Sequence, residues 1–210
     1  ICNHTEPDHS GSLDKLLTIA PNATVVCSSV GATHLEAMLN HKFKVRTVKD
    51  GDTLSLGGKT LRFLSVPFLH WPDSIFTYAE EDRILFPCDM FGFHFSAERI
   101  FDDLTPLDGE MLASQKYYFD VIMSPFKKYV RNAIDKIRDL PIQVICPSHG
   151  PVLRQDPWGA VARYEAWAAE PAPVEPKRVF IGYVSCYGYT RLLAEEIYER
   201  CEIGRAHVRT

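Results

Sequence analysis

The chain has 210 residues, 46% of them hydrophobic and 24% charged, with a formal net charge of -4. That length holds one domain and part of another, with ample apolar material for a core. The acidic balance and the lack of any basic run exclude a nucleic-acid partner, and no apolar run is long enough to span a bilayer.

The first residues carry a dense polar cluster, "HTEPDH", with His4, Glu6, Asp8 and His9 around Pro7. "GSLDKLLTIAP" then has helical spacing at Leu13, Leu16, Leu17 and Ile19 and stops at Pro21. "ATVVCS" reads as a short buried strand and "GATHLEAMLN" as a helix. From Phe43 to Glu80 short strands alternate with turn signals at "KDGD", "LGGK" and "HWPDS". "RILFPCDMFG" reads as a strand running to Asp89. From Asp108 to Leu140 the pattern is helical, with Tyr117, Val121 and Ile122 on one side and Ile134 and Ile137 further on. "IQVICPSHG" is a strand running to His149, followed by a helix from Trp158 to Glu170.

Composition then shifts. "EPAPVEPK", residues 170–177, carries three prolines and reads as a semi-rigid linker. Beyond it "RVFIGYVS" reads as a strand, "CYGYT" as a glycine-bearing turn and "RLLAEEIYERC" as an amphipathic helix, the opening of a second domain at 178–201. The sequence begins without Met inside an apolar stretch, and residues 202–210 read as a non-native tail. The chain is therefore expected to be a fragment.

Six cysteines, Cys2, Cys27, Cys88, Cys146, Cys186 and Cys201, form no C-x-x-C pair. Most lie in Val/Ile-rich runs, where a thiol packs as a small hydrophobe. This usage points to a reducing cytoplasm rather than a disulfide framework.

His70, Asp89 and His149 each follow a hydrophobic run and precede a turn with Pro or Gly. Together with the opening cluster they form a set that strand ends could bring to one sheet edge, held rigidly but open to a small substrate. Imidazole and carboxylate without thiolate suit zinc, iron or manganese. Seven candidates, His4, Glu6, Asp8, His9, His70, Asp89 and His149, are too many for one tetrahedral ion and enough for two ions sharing a carboxylate. The plainer reading of the opening cluster is a polar turn, with Asp8 or Ser10 capping the next helix. That accounts for only one or two of its members.

The ordered set, H-x-[HE]-x-D-H followed by a distant His, Asp and His, resembles the metallo-β-lactamase signature. With Glu6 second, and with "HWPDS", "CDMFG", "PSHGP" and "SCYGYT" after a linker, it resembles the flavodiiron proteins over nearly the whole chain. The resemblance implies an α+β fold. A metallo-β-lactamase-like αββα sandwich at 1–169, incomplete at its N-terminus, would precede the first β-loop-α of a flavodoxin-like FMN domain. It implies two non-haem irons, with His4, Glu6 and His70 on one, Asp8 and His149 on the other, and Asp89 between them. His9 matches a position that does not ligate in every member. Tyrosines near the centre occur in the family, so Tyr117 or Tyr118 either reaches the pocket or packs the long helix. Ser185, Cys186, Tyr187, Gly188, Tyr189 and Thr190 match the FMN-phosphate loop, where hydroxyls and helix-terminal N–H groups cradle an anion.

The implied activity is reduction of O2 to water or NO to N2O, with electrons from rubredoxin or a flavin reductase passing through FMN. A head-to-tail homodimer or homotetramer is implied too, and the fragment itself is expected to be inactive. The other reading is a binuclear zinc hydrolase of the same fold. His34 and His41 read as structural. His94 is either support for a ligand or an exposed loop residue.

Overall fold

The computed structural model describes residues 1–105, 109–169 and 179–201. The expected linker at 170–177 and tail at 202–210 lie outside the described residues, as does Asp108. The chain divides into two compact units, Ile1–Ala169 and Glu170–Thr210.

In the first unit, α1 (Pro7–Ser10), α2 (Leu13–Ile19), β1 (Val25–Cys27), α3 (Ser29–Leu39) and β2 (Val45–Thr47) come first. β3 (Thr53–Ser55), β4 (Thr60–Ser65), β5 (Ile75–Ala79) and β6 (Ile84–Phe86) follow, then α4 (Gly109–Tyr118), α5 (Lys127–Ile137), β7 (Val144–Ile145) and α6 (Pro157–Ala168). β1 and β2 pair in parallel. The larger sheet runs in the order β3-β4-β5-β6-β7, antiparallel except where β7 joins β6 in parallel, with Leu85 opposite Ile145.

Period-two alternation builds the layers. On β1, Val26 points to one side, packing with Val48, Phe63 and Ile75, and so joins the small sheet to the large one. Val25 and Cys27 point to the other, onto Leu35 of α3 and against Leu13 and Leu17 of α2. On the large sheet Phe63 and Ile75 face inward, while their neighbours Leu64 and Phe76 turn to a second core with Val130, Ile134 and Ile137 of α5 and Tyr164 of α6. Helices thus cover both outer faces of two stacked sheets, the αββα arrangement. β5 is buried along its whole length, as a central strand covered on both faces must be.

Some elements are shorter than their sequence suggests. The run expected to continue to Asp89 ends as a strand at Phe86, because Pro87 has no N–H for the ladder. β7 likewise stops at Ile145, just before Cys146 and Pro147. The ligand candidates therefore sit in loops a few residues past the strands. The long helical stretch is also broken. After α4 it widens into a π-turn at Phe119–Met123, tightens at Ser124–Phe126 around Pro125, and resumes as α5.

In the second unit α7 (Tyr189–Cys201) forms as expected. Residues 179–185 adopt no strand, and Phe180 and Val184 are exposed. An isolated strand has nowhere to direct its backbone hydrogen bonds.

Candidate metal centre

The opening segment is tied to the sandwich by its backbone. Cys2 donates its N–H to Val26 O at 2.8 Å, and Ile75 donates to Asn3 O at 2.9 Å. The Asn3 amide donates to Phe86 O, and its oxygen accepts from Thr77 Oγ1. These bonds leave His4 fully buried next to the sheet edge. Pro7 opens α1 at a position where no N–H is needed. Ser10 Oγ donates back to Thr5 O at 2.8 Å, closing the turn that carries Asp8 and His9.

All seven candidates converge, with Asp89 at the middle. Its Oδ2 stands 3.6 Å from His4 Nε2 and 3.5 Å from His70 Nε2. Its Oδ1 stands 3.0 Å from His9 Nε2 and 3.4 Å from His149 Nε2. Glu6 Oε2 lies 3.3 Å from His4 Nε2 and 2.9 Å from His70 Nε2. Asp8 lies 3.5 Å from His9 Nε2 and 3.1 Å from His149 Nε2. Two sets of donors thus meet on opposite oxygens of one carboxylate.

Glu6 bonds His70 and His4, but the middle of the site is unpaired. Both Asp89 oxygens and His9 Nε2 are buried without a hydrogen-bond partner, although imidazole nitrogens are this close. The approaches lack the alignment that a hydrogen bond needs. Lone pairs turned to a shared point, with buried polar atoms unpaired, are what a metal centre requires. Its nitrogen and oxygen donors fit a borderline ion such as iron or zinc.

The electrostatics agree. Burial alone would raise the Asp89 carboxyl, but His149, His70 and His9 beside it hold it far below the usual carboxylate range. The Asp89 carboxylate raises the His70 and His149 imidazoles. It also raises His9, against the effect of burial. No thiol joins in. Burial pushes the Cys88 thiol well up, and Cys2 Sγ donates to His4 O.

Two residues outside the expected set support the centre. Asp73 is buried, and its oxygens are 3.2 Å from His4 Nδ1. Trp71 meets the His4 ring edge-on at 5.2 Å. Both lie in the "HWPDS" turn that supplies His70. The available signal was chemical: a ligating imidazole needs its other nitrogen held.

Tyr117 is 61% exposed on α4, whereas Tyr118 is 2% exposed. Tyr118 packs 5.9 Å from His149 and 4.7 Å from His94, ring to ring. The tyrosine facing the centre is therefore Tyr118 and not Tyr117, because adjacent helix positions point about 100° apart. His94 is exposed and meets the Tyr118 ring edge-on. His41 pairs with Asp14 at the surface, and His34 bonds Thr5 Oγ1 at 3.1 Å.

The loop from Ser185 to Thr190 belongs to the second unit. Gly188 has φ +86°, and Ser185 Oγ accepts from Arg191 N–H at 3.3 Å at the start of α7. Cys186, Tyr187 and Tyr189 are exposed there.

Comparison with known proteins adds to this geometry. The model of a protein family described as ODP family beta lactamase matches residues 1–150. The chain is 43% identical over 201 residues to the Flavo-diiron protein FprA2 of Clostridium acetobutylicum, covering 94% of this chain and 50% of that protein. It is 39% identical over 205 residues to the type A flavoprotein fprA of Rhodobacter capsulatus, covering 95% and 46%. Among solved structures it is similar to the rubredoxin oxygen:oxidoreductase of Desulfovibrio gigas, with TM-score 0.76, 30% identity and coverage of 79% and 42%. It is also similar to the flavodiiron protein of Giardia intestinalis, with TM-score 0.75, 37% identity and coverage of 79% and 41%. The chain spans about half the length of the curated relatives it matches.

Proposed function

The chain belongs to the ODP family of beta lactamases, and on that premise we propose that it carries the two-iron centre of a flavodiiron reductase of O2 or NO. The observation that carries this reading is the division of Asp89, one oxygen toward His4 and His70 and the other toward His9 and His149. His4, Glu6 and His70 would hold one iron, and Asp8, His9 and His149 the other, with Asp89 shared. When bound, the iron pair supplies electrons and two adjacent positions for a small diatomic substrate.

The chain's own residues set the conditions. Glu6, Asp8 and Asp89 bring three negative charges to the site, which favours hard, oxidisable iron and offsets most of the charge of two divalent ions. Trp71 stands edge-on to His4 and His70, and Tyr118 is buried near His149, so rings border the site on both sides while Glu6, Asp8 and His149 stay partly open to solvent. Reducing two NO to one N2O and one water takes two electrons and two protons. Reducing O2 to two waters takes four of each.

The rest of the reading extends to the longer parent protein. Ser185, Gly188 and Thr190 would cradle the phosphate of FMN, with Cys186, Tyr187 and Tyr189 flanking it. Electrons would come from rubredoxin or a flavin reductase, and the name of the Desulfovibrio gigas relative supports the first. A head-to-tail homodimer or homotetramer in the cytoplasm completes the proposal. Among the described residues no helix is long and apolar enough to cross a membrane. A zinc hydrolase is disfavoured by Glu6 in place of an imidazole and by the relatives' names.

The test is a single turnover, which two ferrous ions can supply with their own two electrons even though the fragment, without its flavin domain, is not expected to turn over repeatedly. The chain loaded with ferrous iron under anoxia is mixed with NO and the headspace is assayed. One N2O per two irons is expected. Failure to release N2O, with thioester hydrolysis by the zinc-loaded chain, would support the hydrolase.

A further inference from the structure

Among the described residues, one ligand imidazole differs from the other three in how its second nitrogen is held. His4 Nδ1 lies 3.2 Å from both oxygens of Asp73, with both side chains fully buried. Asp73 Oδ2 also accepts from Thr5 N–H at 2.7 Å and from the Thr5 hydroxyl at 2.8 Å. The Thr5 hydroxyl has a single proton and gives it to Asp73. Its 3.1 Å contact with His34 Nδ1 is therefore one in which His34 donates.

The direction of this chain has a consequence for His4. A carboxylate only accepts, so His4 Nδ1 carries the proton facing Asp73; Nε2, 3.3 Å from Glu6 Oε2 in the metal-free chain, is then the nitrogen left to offer its lone pair to a metal placed between it, Glu6 and His70. Ser28 Oγ donates to Asp73 O at 2.7 Å, which anchors the supporting residue to the start of α3. No described residue bonds the Nδ1 of His9, His70 or His149. The side chains of His9, His149 and Asp8 are 12%, 32% and 48% exposed, against 0%, 17% and 35% for His4, His70 and Glu6. An imidazole with its tautomer and orientation already fixed gives up less freedom on binding.

We propose that the two metal positions fill in order, the one at His4, Glu6 and His70 first, because the Asp73–Thr5–His34 chain holds His4 ready as a ligand. The proposal rests on the two-iron reading above. It makes Asp73, Thr5 and His34 positioning residues, and it makes a half-loaded form with one iron the first product of assembly.

Anaerobic calorimetric titration of the metal-free chain with ferrous iron tests it. Two binding steps are expected, the first at least about tenfold tighter. Asp73→Asn should weaken the first step by about 10–100-fold and leave the second within about threefold. Thr5→Val keeps the side-chain shape and should weaken the first step in the same direction by less, with circular dichroism reporting a retained fold. Two equal steps in the unaltered chain would overturn the proposal and leave the two-iron reading intact. So would variants that lower both steps alike, the mark of a merely structural role. A total of one iron per chain would overturn the two-iron reading and this proposal with it.

Discussion

Asp89 Oδ1 lies 3.0 Å from His9 Nε2, yet neither atom has a hydrogen-bond partner. In the proposed centre the two groups share a cation's position. Asp89→Asn keeps the shape and removes the charge and one of the two facing oxygens. Iron retained after anaerobic loading and gel filtration should fall from two to below one per chain. Asp120→Asn, at an exposed carboxylate paired with Lys116, should leave it at two. Elemental analysis of the two variants decides.

The metal-free and loaded chains should respond oppositely to pH. In the metal-free state His9, His70 and His149 hold their protons more tightly than the unfolded chain does. Their stabilisation is complete below the ordinary imidazole value of about 6.5 and is lost as pH rises through the raised folded values. Asp89, being depressed, contributes fully above about pH 4 and adds no slope in this window. Melting of the chelator-treated chain should therefore shift to lower temperature between pH 6 and 9. Iron needs unprotonated imidazoles, so the stabilisation it adds should grow over the same range. A metal-free melting temperature that rises with pH contradicts this.

Gly150 follows His149 with φ +86°, and a Cβ there would stand 2.6 Å from Phe93 Cβ. Gly150→Ala meets both the wrong backbone region and a backbone-proximal clash. It should cost more than about 1 kcal/mol in urea unfolding, and metal retention should drop because His149 moves with it.

The two neighbouring tyrosines separate cleanly. Tyr117→Ser, at an exposed site, should change stability by less than about 0.5 kcal/mol. Tyr118→Ala removes a buried ring from the wall beside His149 and should cost about 3–5 kcal/mol. Equal losses in denaturant midpoints would contradict the assignment of Tyr118 to the centre.

The candidates that converge were legible in the sequence because their chemistry is local. His4, Glu6, Asp8 and His9 crowd one turn, and His70, Asp89 and His149 each follow an apolar run. The layers were legible because Val25, Val26 and Cys27, like Phe63 and Leu64, alternate faces. Three features were not. Asp73 supports His4 from 69 positions away, a relation set by the turn after β4 and by no local pattern. Tyr118 rather than Tyr117 faces inward because helical register depends on where α4 begins. The strand expected after residue 178 needs neighbours to pair with, and no periodicity reports their presence.

Iron-edge X-ray absorption of the anaerobically loaded chain tests the paired-iron claim most directly. Two irons per chain sharing Asp89 should give nitrogen and oxygen scattering in the first shell and an iron–iron component at about 3.5–4 Å. A spectrum of isolated iron, with no metal–metal component at full loading, would contradict it.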